Sequence, residues 1–126
     1  MIKQPHASPK AAPPVGPYSP AIESGGMLFL SGQVPFDADG NIVGETIADQ
    51  ARQALSNLQH LLAAAALTNH AVVKTTIYLT DMDDFPAMNE VYAEFFEKPW
   101  PARSTIAVAG LPKGVKVEIE AIAMME

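Results

Sequence analysis

A small number of polar side chains stand in apolar parts of the sequence, and their types suggest chemistry on a carboxylate. Arg103, one of two arginines in the chain, begins a hydrophobic segment that is typical of a strand. A guanidinium holds a carboxylate well because it donates two parallel hydrogen bonds. An ion pair with a glutamate on a neighbouring strand would use the same group. The spacing alone leaves both interpretations of Arg103 open.

Glu118 and Glu120 lie two residues apart in the last predicted strand, so both side chains face the same side of the sheet. Solvated carboxylates on an outer face are the commoner case. Buried beside Arg103, one of them would stay ionised and act as a base toward water. Asn89 stands one helical turn after Phe85, where its amide either bonds the backbone or orients a ligand.

The residue inventory removes several classes of site. The chain has no cysteine, which excludes zinc–thiolate sites, iron–sulfur clusters and a cysteine nucleophile. The histidines, His6, His60 and His70, are not at metal-ligand spacing, and the sequence has no glycine-rich phosphate loop. We therefore expect neither a metal nor a cofactor.

Charge and hydropathy bear on the partners and the location of the protein. Eight basic and 14 acidic residues give a net charge of -6, which disfavours general binding to nucleic acid. The longest apolar run, residues 61–67, is too short to cross a membrane, and the N-terminus lacks a secretory segment. We expect no membrane partner and a cytoplasmic location.

The length of 126 residues predicts a single domain over residues 1–126. Six of the 11 prolines lie in the first 20 residues, so residues 1–16 are predicted to form an extended arm. This arm is either a frayed, mobile tail or a lead that brings Tyr18 to a fixed place.

Turn signals and periodicity divide the rest of the chain into strands and helices. The predicted order is strands at 19–24, 27–31 and 41–43, a helix opened by a capping box at 46–49, a strand at 72–80, a helix after 83–84, and strands at 103–108 and 115–125. Each helix has one apolar face. The predicted fold is therefore α+β, with both helices packed on one face of the sheet.

This architecture leaves the other face of the sheet uncovered. Apolar positions such as Ile122 and Met124 are predicted to point there. Exposed apolar patches usually meet a partner, and a second copy of the chain is the economical choice. We therefore expect a homo-oligomer whose sheets pack together.

Four segments resemble the reactive intermediate deaminase family, RidA, formerly called YjgF. They are GPYSPA at 16–21, LSGQVP at 30–35, DDFPAMNEVYAEFF at 83–96 and PARSTIAVAGLPKGVKVEIEAIA at 101–123. The resemblance implies a chorismate-mutase-like domain with a mixed sheet, assembled as a homotrimer with clefts between subunits. It also implies cofactor-free hydrolysis of enamines and imines, such as 2-aminoacrylate, to 2-oxo acids and ammonia.

The resemblance also implies roles for individual residues. Arg103 would bind the substrate carboxylate, Glu118 would position or activate water, and Glu120 would be structural. The cleft would be lined by Tyr18, Ser31, Gly32, Asn89, Arg103 and Thr105. Thr105 stands where many members carry cysteine, although backbone groups act at that position in the family. The loop at 97–100 looks shorter than in typical members, which would reshape the cleft mouth.

Three functions are compatible with this resemblance. The first is a 2-iminobutanoate/2-iminopropanoate deaminase that acts in metabolite damage control. The alternative is a non-catalytic trimer that binds small carboxylates or a protein client. A ribonuclease or translation inhibitor is the third, and the acidic net charge and the lack of a basic stripe argue against it. Arg103 favours the deaminase, because members that have lost deamination often lack this arginine.

Overall fold

The computed structural model describes residues 2–126, which form one six-stranded sheet and two α-helices. The elements are β1 (Gln4–His6), β2 (Ala21–Ser24), β3 (Met27–Gln33), α1 (Ile47–Ala64), β4 (Val72–Leu79), α2 (Phe85–Phe95), β5 (Ala102–Ala107) and β6 (Val117–Met124). The strand order is β1-β2-β3-β6-β4-β5, with β4 and β5 parallel and the other neighbours antiparallel. The predicted mixed sheet in an α+β fold is confirmed.

Helix α1 starts at the predicted capping box. The Oγ1 of Thr46 accepts a hydrogen bond of 3.1 Å from the backbone N–H of Asp49, which satisfies one of the free donors of the first turn. Its buried face recurs every three or four residues and packs on β3 and β6. The helix ends at Ala64, and Ala66 takes a left-handed φ of 60° just beyond it.

Helix α2 lies beside α1 on the same face of the sheet, as predicted. The prediction that Asp83 and Asp84 cap it is wrong in detail, since Asp84 occupies the cap position without a side-chain hydrogen bond. Instead, Asp81 accepts from the N–H of Asp83 at 2.9 Å and caps a short 3₁₀ turn that runs into α2. Pro86 stands in the first turn of α2, where its missing N–H costs no hydrogen bond.

The predicted third strand at 41–43 is not formed. A single isolated bridge joins Phe36 to Ile42. The carboxylate of Asp37 accepts from the N–H groups of Asp39 and Asn41, both at 2.9 Å. This side chain draws the segment into a turn and takes up donors that a strand ladder would need.

The N-terminal arm supplies a strand that the prediction missed. Residues 4–6 pair with β2 as an edge strand, where Pro5 needs no ladder donor. The Nε2 of His6 lies 2.9 Å from the Oε1 of Glu23, and Ala11 is buried in the core at 3% exposure. The arm is therefore docked on the domain over residues 4–11, whereas Met1 lies outside the described residues.

The two faces of the sheet differ as the alternation of β6 predicts. Val117, Ile119, Ala121 and Ala123 are buried beneath the helices. The opposite face carries both glutamates of β6 together with exposed apolar side chains, which are Phe29, Ile106 and Met124 at 43–46% exposure. Within residues 2–126, neither helix is long and apolar enough to cross a membrane.

Candidate active site

The first group of candidate residues lies at the edge formed by β5, on the helix-covered side. Arg103 and Thr105 pair in register with Thr75 and Ile77 of β4, both fully buried under the helices. Asn89 joins them from α2. We call Asn89, Arg103 and Thr105 the arginine group.

The guanidinium of Arg103 rests against aromatic rings rather than a carboxylate. Its Cζ lies 4.8 Å from the ring centroid of Tyr92 and 5.5 Å from that of Phe85. Among residues 2–126 it forms no ion pair, so the cross-strand pair with a glutamate is absent from the protomer. The side chain lines a cleft of about 420 Å³ that is formed by Asn89, Tyr92, Ala93, Trp100, Pro101 and Arg103.

Two polar atoms of the arginine group are buried and have no hydrogen-bond partner among residues 2–126. They are the Oδ1 of Asn89 and the Oγ1 of Thr105. Buried polar atoms are nearly always paired, because an unpaired one costs about 1–3 kcal/mol. The side-chain oxygen of Asn89 therefore accepts no hydrogen bond from a backbone N–H among residues 2–126. Both atoms retain the capacity to bind a ligand or a partner chain.

The second group lies on the uncovered side of the sheet. The Glu118 side chain passes directly over Gly32, and a Cβ placed at Gly32 would lie 2.8 Å from the Glu118 Cδ. Tyr18 and Gly32 line one narrow recess beneath the arm. The Oγ of Ser31 donates a 2.7 Å hydrogen bond to the carbonyl of Ser19, next to Tyr18. We call Tyr18, Ser31, Gly32 and Glu118 the glutamate group.

The carboxyl of Glu118 has an unusual environment. Burial raises its pKa, and the charge of Glu120 raises it further. Arg103 of the same protomer does not lower this pKa, because the two side chains lie on opposite faces of the sheet. That Arg103 of a neighbouring subunit keeps this carboxyl ionised stays a prediction. Both glutamates do share one face, as the spacing predicts.

Glu120 is engaged within its own chain. Its Oε1 accepts a 2.5 Å hydrogen bond from the hydroxyl of Tyr78. That bond, together with burial and the nearby carboxylates, raises the pKa of Tyr78 to about 12. The hydroxyl of Tyr78 thus holds Glu120 in place. Among residues 2–126, the Glu118 carboxylate has no such hydrogen-bond donor.

The two groups do not meet within one protomer. Strand β4 separates β5 from β6, so Arg103 and Glu118 are about 10 Å apart across the sheet. The register places their partners on β4, Thr75 and Tyr78, three residues apart, which adds about 10 Å along the strands. The residues that were predicted to line one cleft thus divide, within one protomer, into two groups on opposite faces of the sheet.

The aromatic neighbours of Arg103 were not among the predicted site residues. In the sequence, Phe85 and Tyr92 fit the apolar face of the second helix, and no pattern singles out Trp100. A signal was available, since Phe85, Asn89 and Tyr92 stand at positions i, i+4 and i+7 and therefore share one helix face.

Comparison with known proteins gives matches over nearly the whole chain. The family model described as Endoribonuclease L-PSP matches residues 9–125. A RutC family protein of Pyrococcus horikoshii is 51% identical over 117 residues, which are 92% of this chain and 93% of that protein. A Dermatophagoides farinae protein named 2-iminobutanoate/2-iminopropanoate deaminase is 43% identical over 121 residues, with 95% and 94% covered.

A solved structure agrees equally well. The crystal structure of RidA from the Antarctic bacterium Psychrobacter superposes with a TM-score of 0.93 at 38% identity, covering 97% of this chain and 99% of that one. The predicted chorismate-mutase-like α+β fold and the predicted family are confirmed. Because one family model spans residues 9–125 and these relatives match over almost their full length, the chain belongs to the Endoribonuclease L-PSP family, that of the RidA proteins.

Proposed function

We propose that the protein hydrolyses small 2-imino acids and their enamine tautomers, such as 2-aminoacrylate, to 2-oxo acids and ammonia. The observation that carries this proposal is the guanidinium of Arg103, which lines a cleft and has no carboxylate partner among residues 2–126. A substrate carboxylate supplies the missing partner through two parallel hydrogen bonds. The deaminase name carried by the Dermatophagoides relative supports the same reaction class.

The proposed assembly is a homotrimer with its active sites between subunits. The uncovered sheet face, with Phe29, Ile106 and Met124 exposed, is suited to pack against a copy of itself. Strand β5 lies at the edge of the sheet, so the arginine group is accessible to a neighbouring subunit. In this arrangement the arginine group of one subunit faces the glutamate group of the next.

The proposed reaction needs one water molecule and no other reactant. An enamine first takes a proton from solvent on its β-carbon, which gives the iminium ion. Water then attacks the iminium carbon while Glu118 accepts a proton from it, so a C–O bond forms and the electron pair of the C=N double bond goes to the nitrogen. Glu118 returns the proton to this nitrogen, and the C–N bond breaks as the hydroxyl group loses its proton to solvent, which releases ammonia and the 2-oxo acid. A carboxyl with a raised pKa is suited to both transfers.

Binding and orientation provide most of the proposed acceleration. Imines hydrolyse readily in water, so holding the carboxylate and the water in line is sufficient for a large part of the effect. Hydrolysis involves no oxidation or reduction, and we expect it to proceed without a cofactor. Within residues 2–126, no group of three or more His, Asp or Glu side chains is placed to hold a metal ion.

The direct test is release of ammonia and 2-oxo acid from imines that an amino-acid oxidase generates in the assay. We expect the protein to accelerate both above the spontaneous rate, with EDTA present or absent. Arg103→Ala should lose this activity, and Arg52→Ala is the matched control, since Arg52 is exposed and pairs with Asp49 and Glu94. If the wild-type protein gives only the spontaneous rate, the proposed function is wrong.

One alternative function is an outcome of the same experiment, and the other is disfavoured by the charge of the chain. A protein that binds 2-oxo acids through Arg103 without turnover would be the non-catalytic carboxylate binder. The ribonuclease suggested by the family model's description has little support, because the net charge of -6 repels a phosphate backbone. A cytoplasmic location stays a prediction.

A further inference from the structure

One face of α2 presents two aromatic rings to the guanidinium of Arg103. Phe85 and Tyr92 are seven residues apart, so they share a helix face and are separated by about 10.5 Å along its axis. The Cζ of Arg103 is 5.5 Å from the first ring and 4.8 Å from the second. The guanidinium therefore contacts two rings of the same helix face, and Asn89 lines the same cleft.

The Tyr92 ring is rigidly held. Its hydroxyl lies 2.8 Å from the Oγ1 of Thr75, which is fully buried, and its ring centroid is 4.7 Å from that of Phe96. Thr75 is also the register partner of Arg103 across β4 and β5. The same strand pair therefore fixes the position of the ring and the origin of the arginine side chain.

A free arginine side chain has many rotamers, and ordering it on binding costs affinity. Among residues 2–126 no carboxylate pairs with Arg103, so the two rings are its charge-attracting neighbours. Contact with ring electrons leaves the N–H donors of a guanidinium available, and those donors are the part that forks onto a carboxylate.

We propose that Tyr92 and Phe85 are positioning residues that clamp the Arg103 guanidinium and direct its N–H edge into the cleft. The carboxylate site is thereby formed before the ligand arrives, with Tyr92 as the stronger member because its ring is closer and better fixed. The identity of the ligand as a 2-imino acid rests on the proposed function, but the clamp itself does not.

The clamp can be observed without any ligand. The chain has two arginines, so protein labelled with ¹⁵N-arginine gives two Nε–H signals, and Arg52 serves as an internal reference. We expect the Arg103 signal to be shifted by the ring currents and slow to exchange with solvent. Tyr92→Leu should move it toward the Arg52 signal and speed its exchange. An Arg103 signal like that of Arg52 in the wild-type protein would overturn the proposal.

Binding of pyruvate and 2-oxobutanoate, measured by calorimetry, tests the consequence. Tyr92→Leu should raise the Kd by about 3- to 30-fold, the range of a desolvated cation–ring contact. Phe85→Leu should do the same to a smaller extent, and it provides the test if Tyr92→Leu does not fold. Phe95→Leu is the control, because among residues 2–126 this ring of α2 stacks with neither Tyr92 nor the guanidinium.

A double-mutant cycle separates positioning from a general loss of structure. In an Arg103→Ala background, Tyr92→Leu should change the Kd by less than twofold, since no guanidinium is left to position. An undiminished effect there, or an equal loss in Phe95→Leu, would overturn the proposal. A wild-type protein that shows the clamped Arg103 signal but hydrolyses no imine would instead refute only the proposed function.

Discussion

The arginine group and the glutamate group face opposite sides of one sheet, and they differ in how their polar atoms are satisfied. In the glutamate group, Ser31 bonds the carbonyl of Ser19, and the hydroxyl of Tyr18 accepts from the N–H of Val15 at 3.3 Å. In the arginine group, Asn89 and Thr105 each bury an oxygen that has no hydrogen-bond partner among residues 2–126. Within these residues the chain thus pairs the hydroxyls of Tyr18 and Ser31, and it leaves the Glu118 carboxylate and the two oxygens of the arginine group unpaired.

This difference teaches how a small domain can build a site from two surfaces. The glutamate group is preorganised by local contacts of the arm and β3, which a single chain supplies. The arginine group sits at a sheet edge, where a neighbouring subunit and a ligand complete it under the proposed function. Substitutions in one group or the other test this division.

Removal of the Arg103 side chain is expected to have the largest effect. Arg103→Ala deletes a charge-assisted bidentate contact worth about 2–4 kcal/mol, or about 30- to 1,000-fold in kcat/KM. Arg103→Lys keeps the charge without the planar fork and should recover part of the loss. Imine hydrolysis is measured beside the melting temperature and the assembly mass. A folded Arg103→Ala trimer with unchanged turnover would make Arg103 structural.

Glu118→Gln should lower turnover by about 100-fold, the low end for loss of a general base, and leave 2-oxo acid binding nearly intact. Activity of the wild-type protein should fall on acidification at a pH above the usual carboxylate range, because burial raises the pKa of Glu118. The variant should lack this dependence. A pH–rate profile with the same acidic limb in both proteins would assign that limb to another group.

The same substitution has a predicted effect on stability. A carboxyl whose pKa is raised on folding binds more protons in the folded state than in the unfolded state. Its contribution to the free energy of unfolding therefore falls as the pH rises from the unfolded-state pKa to the raised, folded-state pKa. Glu118→Gln removes this penalty. Its Tm should exceed that of the wild-type protein at neutral pH, and the gap should close as the pH is lowered. A constant gap across pH would contradict the assigned cause.

Gly32→Ala tests whether the glutamate group depends on close packing. The added Cβ would overlap the Glu118 side chain, which must move, and a displacement of about 1 Å in a reacting group costs up to about 100-fold in rate. We expect a 10- to 100-fold loss in kcat. Gly110→Ala is the matched control, since a Cβ there meets nothing within 4 Å. Equal activity of both variants would show that the carboxylate position is not critical.

Glu120→Gln should have the smallest effect, because we assign Glu120 to structure. Its removal takes away the charged acceptor of the Tyr78 hydroxyl, so the pKa of Tyr78 should fall from about 12 toward its ordinary value near 10. Ultraviolet titration of tyrosinate measures this, with Tyr78→Phe identifying the signal. Turnover that falls as far as in Glu118→Gln would place Glu120 in the chemistry.

Much of the fold follows from local sequence signals. The spacing of apolar residues and the capping box at Thr46 predict α1 and its buried face. The prediction of a strand at 41–43 is wrong because the Asp37 side chain competes for the backbone N–H groups that a strand would pair. The alternation of apolar and polar residues does not reveal this interaction. Strand β1 was missed because Pro5 argues against a strand except at an edge, and the edge exists only once β2 is in place.

The candidate site was predictable residue by residue but not as an arrangement. Alternation along β5 and β6 determines which way Arg103 and Glu118 point within each strand. It does not determine whether the two side chains lie on the same side of the sheet, because that depends on the order of the strands and their pairing register. The rings of Phe85 and Tyr92 were counted as core because their spacing fits a buried stripe equally well.

Mixing of inactive subunits tests most directly whether each site takes its two groups from different protomers. Arg103→Ala and Glu118→Gln chains are unfolded together at equal amounts and refolded. In a head-to-tail ring, every mixed trimer contains one cleft with both native groups, so random mixing should restore about one quarter of the wild-type activity. No recovery, with mass spectrometry showing mixed trimers, would contradict the account.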